Sequence, residues 1–321
     1  MATADQIKTL IRSHLSDSPE QFTAMALQIA AHEARLGHSD LAFEIRQLVD
    51  KAKARPKVVV AFPNELQGLI ISDKPEIPIE ALVLNETMLS KVERIILEFR
   101  QQSKLKSYGL AHRRKILLSG APGTGKTMTA RVLATELSLP LHSVQMDRLV
   151  TKFMGETSAK LRQIFDRIKE VPGVYLFDEM DAIGGERGAS NDVGEMRRVL
   201  TSFLQFIEGD PSDNIILAAT NNLRLLDRAL FRRFDDILQY ELPGLDQRIR
   251  LIQNLLSTFI GDSFSVQEAA QAAKGLSHAE INLACQGAIK NAILSDRDHV
   301  CFDSFLVLLR ERHAPYRVQE E

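Results

Sequence analysis

The sequence predicts an α/β protein: a parallel sheet sandwiched by helices, followed by an all-helical domain and preceded by a small helical module. Three observations point there. Short apolar runs at Ile116-Leu117-Leu118, Leu139 to Val144, Val174-Tyr175-Leu176-Phe177, Ile215 to Ala219 and Ile237 to Leu242 alternate with stripes at helical spacing, such as Leu161, Ile164, Phe165 and Ile168. Strands that alternate with helices form a parallel sheet covered on both faces, because each crossover lays a helix across it. After Pro243-Gly244 the strand-like runs stop, and residues 246 to 312 keep only helical periodicity. Before residue 56 there is no glycine except Gly37, and the apolar residues fall on three stripes.

Taken in order, residues 1–55 form the first unit. Ile7, Leu10, Ile11 and Leu15 make one stripe, Phe22, Met25, Ala26 and Ile29 a second, and Leu41, Ala42, Ile45, Leu48 and Val49 a third. Ser18-Pro19-Glu20-Gln21 supplies a capping hydroxyl, a proline at the first helical position and a glutamine three residues after the cap, and Gly37 ends the second helix. So small a unit has little core of its own, which marks it as a module for a substrate or partner. Residues 56–80 are a linker punctuated by Pro56, Pro63, Gly68, Pro75 and Pro78, with the β-branched run Val58-Val59-Val60 offering one edge strand. Residues 81–243 are the α/β domain, 244–312 the helical domain and 313–321 a tail.

Charge and composition exclude several classes. Forty Lys plus Arg face 42 Asp plus Glu, a net charge of −2, which lacks the basic excess of a protein held to nucleic acid by charge. No uncharged stretch approaches the roughly 18 to 20 residues that cross a bilayer, and the N-terminus has no basic-then-apolar leader, so a cytoplasmic protein without membrane contact is expected. Two cysteines, Cys285 and Cys301, have no metal-ligand spacing and are expected as buried thiols.

The chemistry is concentrated in two motifs. Gly120-Ala121-Pro122-Gly123-Thr124-Gly125-Lys126-Thr127 follows a predicted strand and opens a helix on which Met128 comes next, the context that a phosphate loop requires. Glycines let backbone amides approach phosphate, and the helix N-terminus favours negative charge. Lys126 is placed to reach the β and γ phosphates, and Thr127 to ligate Mg²⁺. Fifty-two residues after Lys126, the strand Val174 to Phe177 runs into Asp178-Glu179. Ligands bind at the carboxyl ends of such strands, so Asp178 would hold the Mg²⁺ shell and Glu179 would orient and deprotonate an attacking water.

Asp178-Glu-Met-Asp-Ala-Ile183, Leu217-Ala-Ala-Thr-Asn221 and Leu226-Asp-Arg-Ala-Leu-Phe-Arg232-Arg233-Phe-Asp235, in that order after the phosphate loop, resemble the AAA family of ATPases over residues 81 to 312. The resemblance implies ATP and Mg²⁺ as cofactors and the helical domain as a lid over a P-loop sheet. It makes Asn221 a sensor of the γ phosphate, and Arg232 and Arg233 fingers that reach a neighbouring subunit's nucleotide. Fingers in trans require a ring, a homo-hexamer in this family. Phe153-Met154-Gly155 resembles the pore loop with which remodelling members grip polypeptide, and Gly184 to Gly194 a second one. Arg197 and Arg198, on the helix after it, are either responsive to a neighbour's nucleotide or solvated charge. Gly275-Leu-Ser-His-Ala-Glu280 resembles the lid turn beside the nucleotide, with His278 where a small glycine is usual. Adenine contacts are expected around Tyr108 to Leu110. The basic run Lys104, Lys106, Arg113, Arg114 and Lys115 is expected to be subunit-interface charge. The expected activity is Mg-ATP-driven remodelling, unfolding or translocation of a protein through a central pore. Two alternatives stay open: an ATP-dependent switch or scaffold that does not thread its partner, and a loader acting on DNA machinery. Stand-alone bacterial ATPases of this kind also resemble those encoded beside a subtilisin-like protease, which would make a protease the partner.

Overall fold

The computed structural model describes residues 19–35, 38, 41–46, 66, 68–149, 154–181, 190–222 and 231–317. The chain divides into two compact units, Met1–Val60 and Ala61–Glu321. In the first, helix α1 (Pro19–Arg35) begins at the proline that the capping chemistry marks. Ala26, Ile29 and Ala30 of α1 are buried, as is Ala42 in a helical stretch at 41–46, whereas Leu41 and Phe43 stay exposed. The stripe from Ile7 to Leu15, Gly37, and Leu48 and Val49 lie outside the described residues.

The second unit is built on six strands: β1 (Ile70–Asp73), β2 (Lys115–Gly120), β3 (Leu141–Gln145), β4 (Val174–Asp178), β5 (Ile215–Thr220) and β6 (Asp236–Tyr240). Their spatial order is β1-β3-β4-β5-β2-β6. Every neighbouring pair is parallel except the edge, where β1 runs antiparallel to β3 with Ile70 opposite Val144. The edge strand expected from the linker falls at 70–73; Val58 to Val60 lie outside the described residues. A short strand followed by Pro75 suits an edge, where one row of N–H groups needs no ladder partner.

Successive side chains of a strand point to opposite faces, and here both faces are apolar. Ile116 and Leu118 of β2, Val174 and Leu176 of β4, and Ile215, Leu217 and Ala219 of β5 pack into one core cluster, under helices α2 (Glu86–Arg100) and α3 (Lys126–Leu137). Leu117, Tyr175, Phe177, Ile216 and Ala218 point the other way, under α4 (Met154–Glu170) and α5 (Ser190–Gly209). Phe177 stacks 5.5 Å from Phe165 of α4 and meets Phe203 of α5 edge-on at 4.9 Å. Asn214, just before β5, is buried and accepts from Gly173 N at 2.8 Å while donating to Val171 O at 3.0 Å, so the turn into β4 is tied to the start of β5.

The C-terminal helices α6 (Leu245–Leu256), α7 (Val266–Ala272), α8 (His278–Leu294) and α9 (Phe302–Arg317) enclose a third cluster around Ile252, Leu276, Ile281, Ala284 and Phe305. Val83, from the segment before α2, packs into this same cluster. Of the two thiols expected to be buried, Cys285 is, and burial pushes its pKa up to about 12. Cys301 is only partly buried: it immediately precedes α9, at the surface end of the helix rather than on its inner face.

The phenyl cluster anchors the strand that carries Asp178. Phe177→Ala should lower unfolding stability by about 3–5 kcal/mol, the range for removing a buried aromatic. Urea unfolding followed by circular dichroism measures it, and a loss under 1 kcal/mol would contradict this packing.

Candidate active site

The phosphate loop begins where β2 ends. Gly120 lies flat against β6, and a Cβ there would meet Tyr240 O at 2.3 Å, so only glycine fits. Gly123 and Gly125 have φ of +74° and +106°, the left-handed region that glycine enters without cost. The Tyr240 hydroxyl is 2.7 Å from Thr129 Oγ1 on α3, which seats the helix behind the loop. Within the loop, Thr124 Oγ1 donates to Ala121 O at 2.7 Å. Lys126 is 7% exposed, and its ammonium donates to Gly120 O at 2.7 Å and Ala121 O at 2.9 Å. Burial holds its pKa below the usual lysine range, opposed by the nearby Asp178 and Asp181.

The second motif arrives from β4 at the same edge of the sheet. Thr127 Oγ1 donates to Asp178 Oδ2 at 2.9 Å. Adjacent ligands of an octahedral Mg²⁺ at roughly 2.1 Å stand about 3.0 Å apart, so these two oxygens have the spacing of a shared hard-cation shell. Glu179 is exposed and has φ of +55°, a strained conformation for a residue with a side chain. Two bonds hold it: its own N–H donates to Asp178 Oδ1 at 2.9 Å, and the next residue, Met180, donates its N–H to Ala219 O at 2.9 Å.

Asn221 follows β5. The Asp181 carboxylate accepts from Asn221 N at 3.0 and 2.9 Å and from the Thr220 hydroxyl, so the turn after β4 grips the turn after β5. Sequence reasoning gave Asp181 no role. The available signal was a third carboxylate three positions after Asp178, next to a strand end that had to be oriented.

These pieces line one cleft of about 490 Å³. The loop from Pro122 to Met128, Asp178, Glu179 and Asn221 form its phosphate end; Ala81 to Leu84, Leu251, Leu255, His278, Ala279 and Asn282 form the other. Tyr108 and Leu110, expected at the adenine, are 77% and 59% exposed and are not part of this lining. They sit at the tip of a turn after a short helix (Gln102–Ser107), while the segment at 81–84 is drawn into the cleft by the apolar contacts of Val83. His278 begins α8, which Ser277 and Glu280 cap reciprocally. Its Nε2 lies 3.0 Å from Val83 O; a carbonyl only accepts, so Nε2 carries the proton and burial keeps the ring's pKa low.

The remaining expected site residues lie elsewhere. Arg232 and Arg233, in the turn before β6, do not line this cleft. Phe153 and residues 182–189 are outside the described residues; Met154 and Gly155 form the start of α4, and Arg197 and Arg198 are on α5. The basic run expected as interface charge is largely paired within the chain: Lys106 with Asp213, Arg113 with Asp236 and Glu98, Arg114 with the buried Asp210, and Lys115 with Glu208 O.

A family profile described as "ATPase family associated with various cellular activities (AAA)" matches residues 116–242, the span from β2 to β6. A protein of Sinorhizobium fredii named as an uncharacterized AAA family ATPase, y4kL, is 33% identical over 307 residues, covering 94% of this chain and 92% of that one. The chain belongs to the AAA family of ATPases. Its reaction is ATP hydrolysis. A proteasome-activating nucleotidase of Methanoculleus marisnigri is 30% identical over 255 residues, 77% of this AAA chain and 62% of that protein. An ATP-dependent zinc metalloprotease, FtsH 2 of Petrotoga mobilis, is 33% identical over 223 residues, 67% of this chain but 35% of that one. The chain thus matches about three-fifths of the nucleotidase's length and about a third of the metalloprotease's. Among the described residues of this AAA ATPase, no helix is long and apolar enough to cross a membrane.

Glu179→Gln should retain ATP binding and lose hydrolysis to below about 1% of the parent rate, a loss at the lower end of the 10²–10⁴-fold attributed to a general base. Nucleotide affinity by calorimetry and phosphate release check the two halves. Turnover above about a tenth of the parent rate would remove Glu179 from the chemistry.

Proposed function

We propose that this protein is a Mg-ATP-driven, homo-hexameric ring that unfolds or translocates a protein substrate through a central pore. The observation that carries the hydrolytic half is the meeting of Thr127 with Asp178 at 2.9 Å beside a strained, outward Glu179, at one end of a cleft that the phosphate loop closes. The relatives support the protein-directed half, since one is named for activating a proteasome and the other as an ATP-dependent metalloprotease.

In this reading the loop amides and Lys126 bind the phosphates, and Thr127 and Asp178 hold Mg²⁺. The ion supplies positive charge against the phosphate oxygens when bound. Glu179 accepts the proton of the attacking water, and Asn221, fixed through its backbone by Asp181, positions that water against the γ phosphate. The adenine of the nucleotide would occupy the end of the cleft lined by residues 81–84, Leu251, Leu255 and His278. The turn that carries Arg232 and Arg233 does not line the chain's own cleft; it presents arginine to the nucleotide of the next subunit, where a guanidinium matches the charge spreading over the transferring phosphoryl group. Phe153, with Met154 and Gly155 at the start of α4, contacts substrate, and residues 1–55 recruit the substrate or a partner, with a separately encoded protease as that partner.

Mixing tests the ring. A protein carrying Arg232→Ala and Arg233→Ala, and another carrying Lys126→Ala, should each be inactive alone. Together they should regain ATPase activity at interfaces that pair an intact phosphate loop with intact arginines. Mixed assemblies that form without any rescue would refute action in trans. Threading has its own test: Phe153→Ala should keep at least half of the basal ATPase rate and abolish unfolding of a bound protein partner. Undiminished unfolding by that variant would favour a switch that works without threading.

A further inference from the structure

The two adjacent arginines before β6 have different surroundings. Phe231 and Phe234 pack against the core on the α4–α5 side of the sheet, and Asp235 accepts from the backbone N–H groups of Arg114 and Lys115 at 2.9 Å each. The turn is thus pinned on both sides of the arginine pair. Arg232 is exposed, with no ion pair among the described residues. Arg233 is held inward: its Nε lies 3.5 Å from Glu208 Oε2 at the end of α5, and its Nη1 is buried.

We infer that only Arg232 meets the neighbouring subunit's nucleotide, and that Arg233 is a positioning residue which, through Glu208, fixes the direction in which Arg232 projects. The inference rests on the trans reading above and divides the labour within it. A guanidinium on a carboxylate of its own chain must give up that pair before it can extend across an interface. The neighbour at 232 needs no such step. Pinning by Phe231 and Phe234 sets where the turn lies but leaves its rotation to the side chains between them, and the Arg233–Glu208 pair supplies that constraint. A partly exposed pair of this kind adds little to stability, so its removal tests direction rather than folding.

A charge exchange separates the two roles. Arg232→Ala should lower kcat by roughly 10³-fold with KM for ATP nearly unchanged, the size of effect known for arginine fingers. Glu208→Arg should lower kcat about tenfold or more, because it repels Arg233 and misaligns the turn. Combining it with Arg233→Glu re-forms the pair in reverse and should restore at least half of the parent kcat, although position 233 then carries no guanidinium. An exchanged protein that assembles yet is as inactive as Arg232→Ala would overturn the inference, since Arg233 itself would then be touching phosphate. So would an Arg232→Ala protein with the parent rate. If the exchanged protein does not assemble, Arg233→Lys, which keeps a cation opposite Glu208 without a guanidinium, is judged by the same kcat criterion. Failure of the trans reading looks different: Arg232→Ala and Arg233→Ala would then both turn over ATP at the parent rate.

Discussion

The hydrogen bond from Thr127 to Asp178 joins side chains 51 positions apart, and the site exists only because the sheet holds them there. β2 and β4 are not paired with each other; each pairs in parallel with β5, which lies between them. Leu118 stands opposite Ala219 on one side of β5 and Leu176 opposite Leu217 on the other, so Asp178 ends β4 level with Leu118 and β2 runs two residues further, to Gly120 and the start of the phosphate loop. A slip of one residue would turn every side chain of β4 to the opposite face and lift Asp178 out of reach of Thr127. The register is kept by burial: Val174, Tyr175, Leu176 and Phe177 are all fully buried, and fully burying side chains of this size is worth about 1.5–3 kcal/mol each. The contact between Thr127 and Asp178 therefore depends on the hydrophobic match of the strands beneath it.

That dependence explains what could be seen in advance. β2 to β6 appear as apolar runs because strands buried on both faces leave no room for polar residues, and the phosphate loop appears because its glycines answer to local backbone demands such as φ of +74° at Gly123. Both signals are local. The features that escaped depend on partners far along the chain. Asp181 is one carboxylate among 42 until the β4 and β5 turns are side by side. The cleft wall at Ala81 to Leu84 looks like the end of a linker, and only the packing of Val83 against lid residues some 170 and more positions away reveals its place. The basic run at 104–115 looks like interface charge because its partners, Glu98, Asp210, Asp213 and Asp236, lie on other elements. The difference between Arg232 and Arg233 is likewise invisible in a dipeptide of identical residues and follows from where α5 ends.

Electrostatics at the phosphate end follow the same division between local and distant causes. Lys126 is buried by the loop it belongs to and satisfied by two carbonyls of that loop, so its charge is positioned without the cost of an unpartnered ammonium. Asp178 and Asp181 counter its desolvation from across the cleft. Glu179 has the opposite situation. It is exposed, and its left-handed backbone is held by a bond to Asp178 and by Met180 reaching across to β5. Strain of this kind costs on the order of 1–3 kcal/mol and persists only where the surroundings over-determine it. Here the surroundings are the neighbouring strand and the adjacent carboxylate, so the direction of Glu179 is set by the sheet edge.

The helical domain is tied to that edge at three points. Ala279 N donates to Gly123 O at 3.0 Å, His278 Nε2 to Val83 O at 3.0 Å, and a Cβ on Gly123 would press within 2.7 Å of Ser277 Oγ. On α6, the buried Arg248 donates from Nη1 to Pro243 O at 2.6 Å and from Nε to Ala270 O at 2.7 Å, with no carboxylate among these partners. A guanidinium placed in this way ties the Pro243 carbonyl to α7, so a rotation of the helical domain about Pro243-Gly244 would carry α6 and α7 together. Any such rotation must stretch the bonds from Ala279 and His278, and those bonds end on the phosphate loop and on the opposite wall of the cleft. A rotation of the helical domain would therefore change the shape of the cleft, and by reciprocity a ligand that binds better at one angle biases the domain toward that angle.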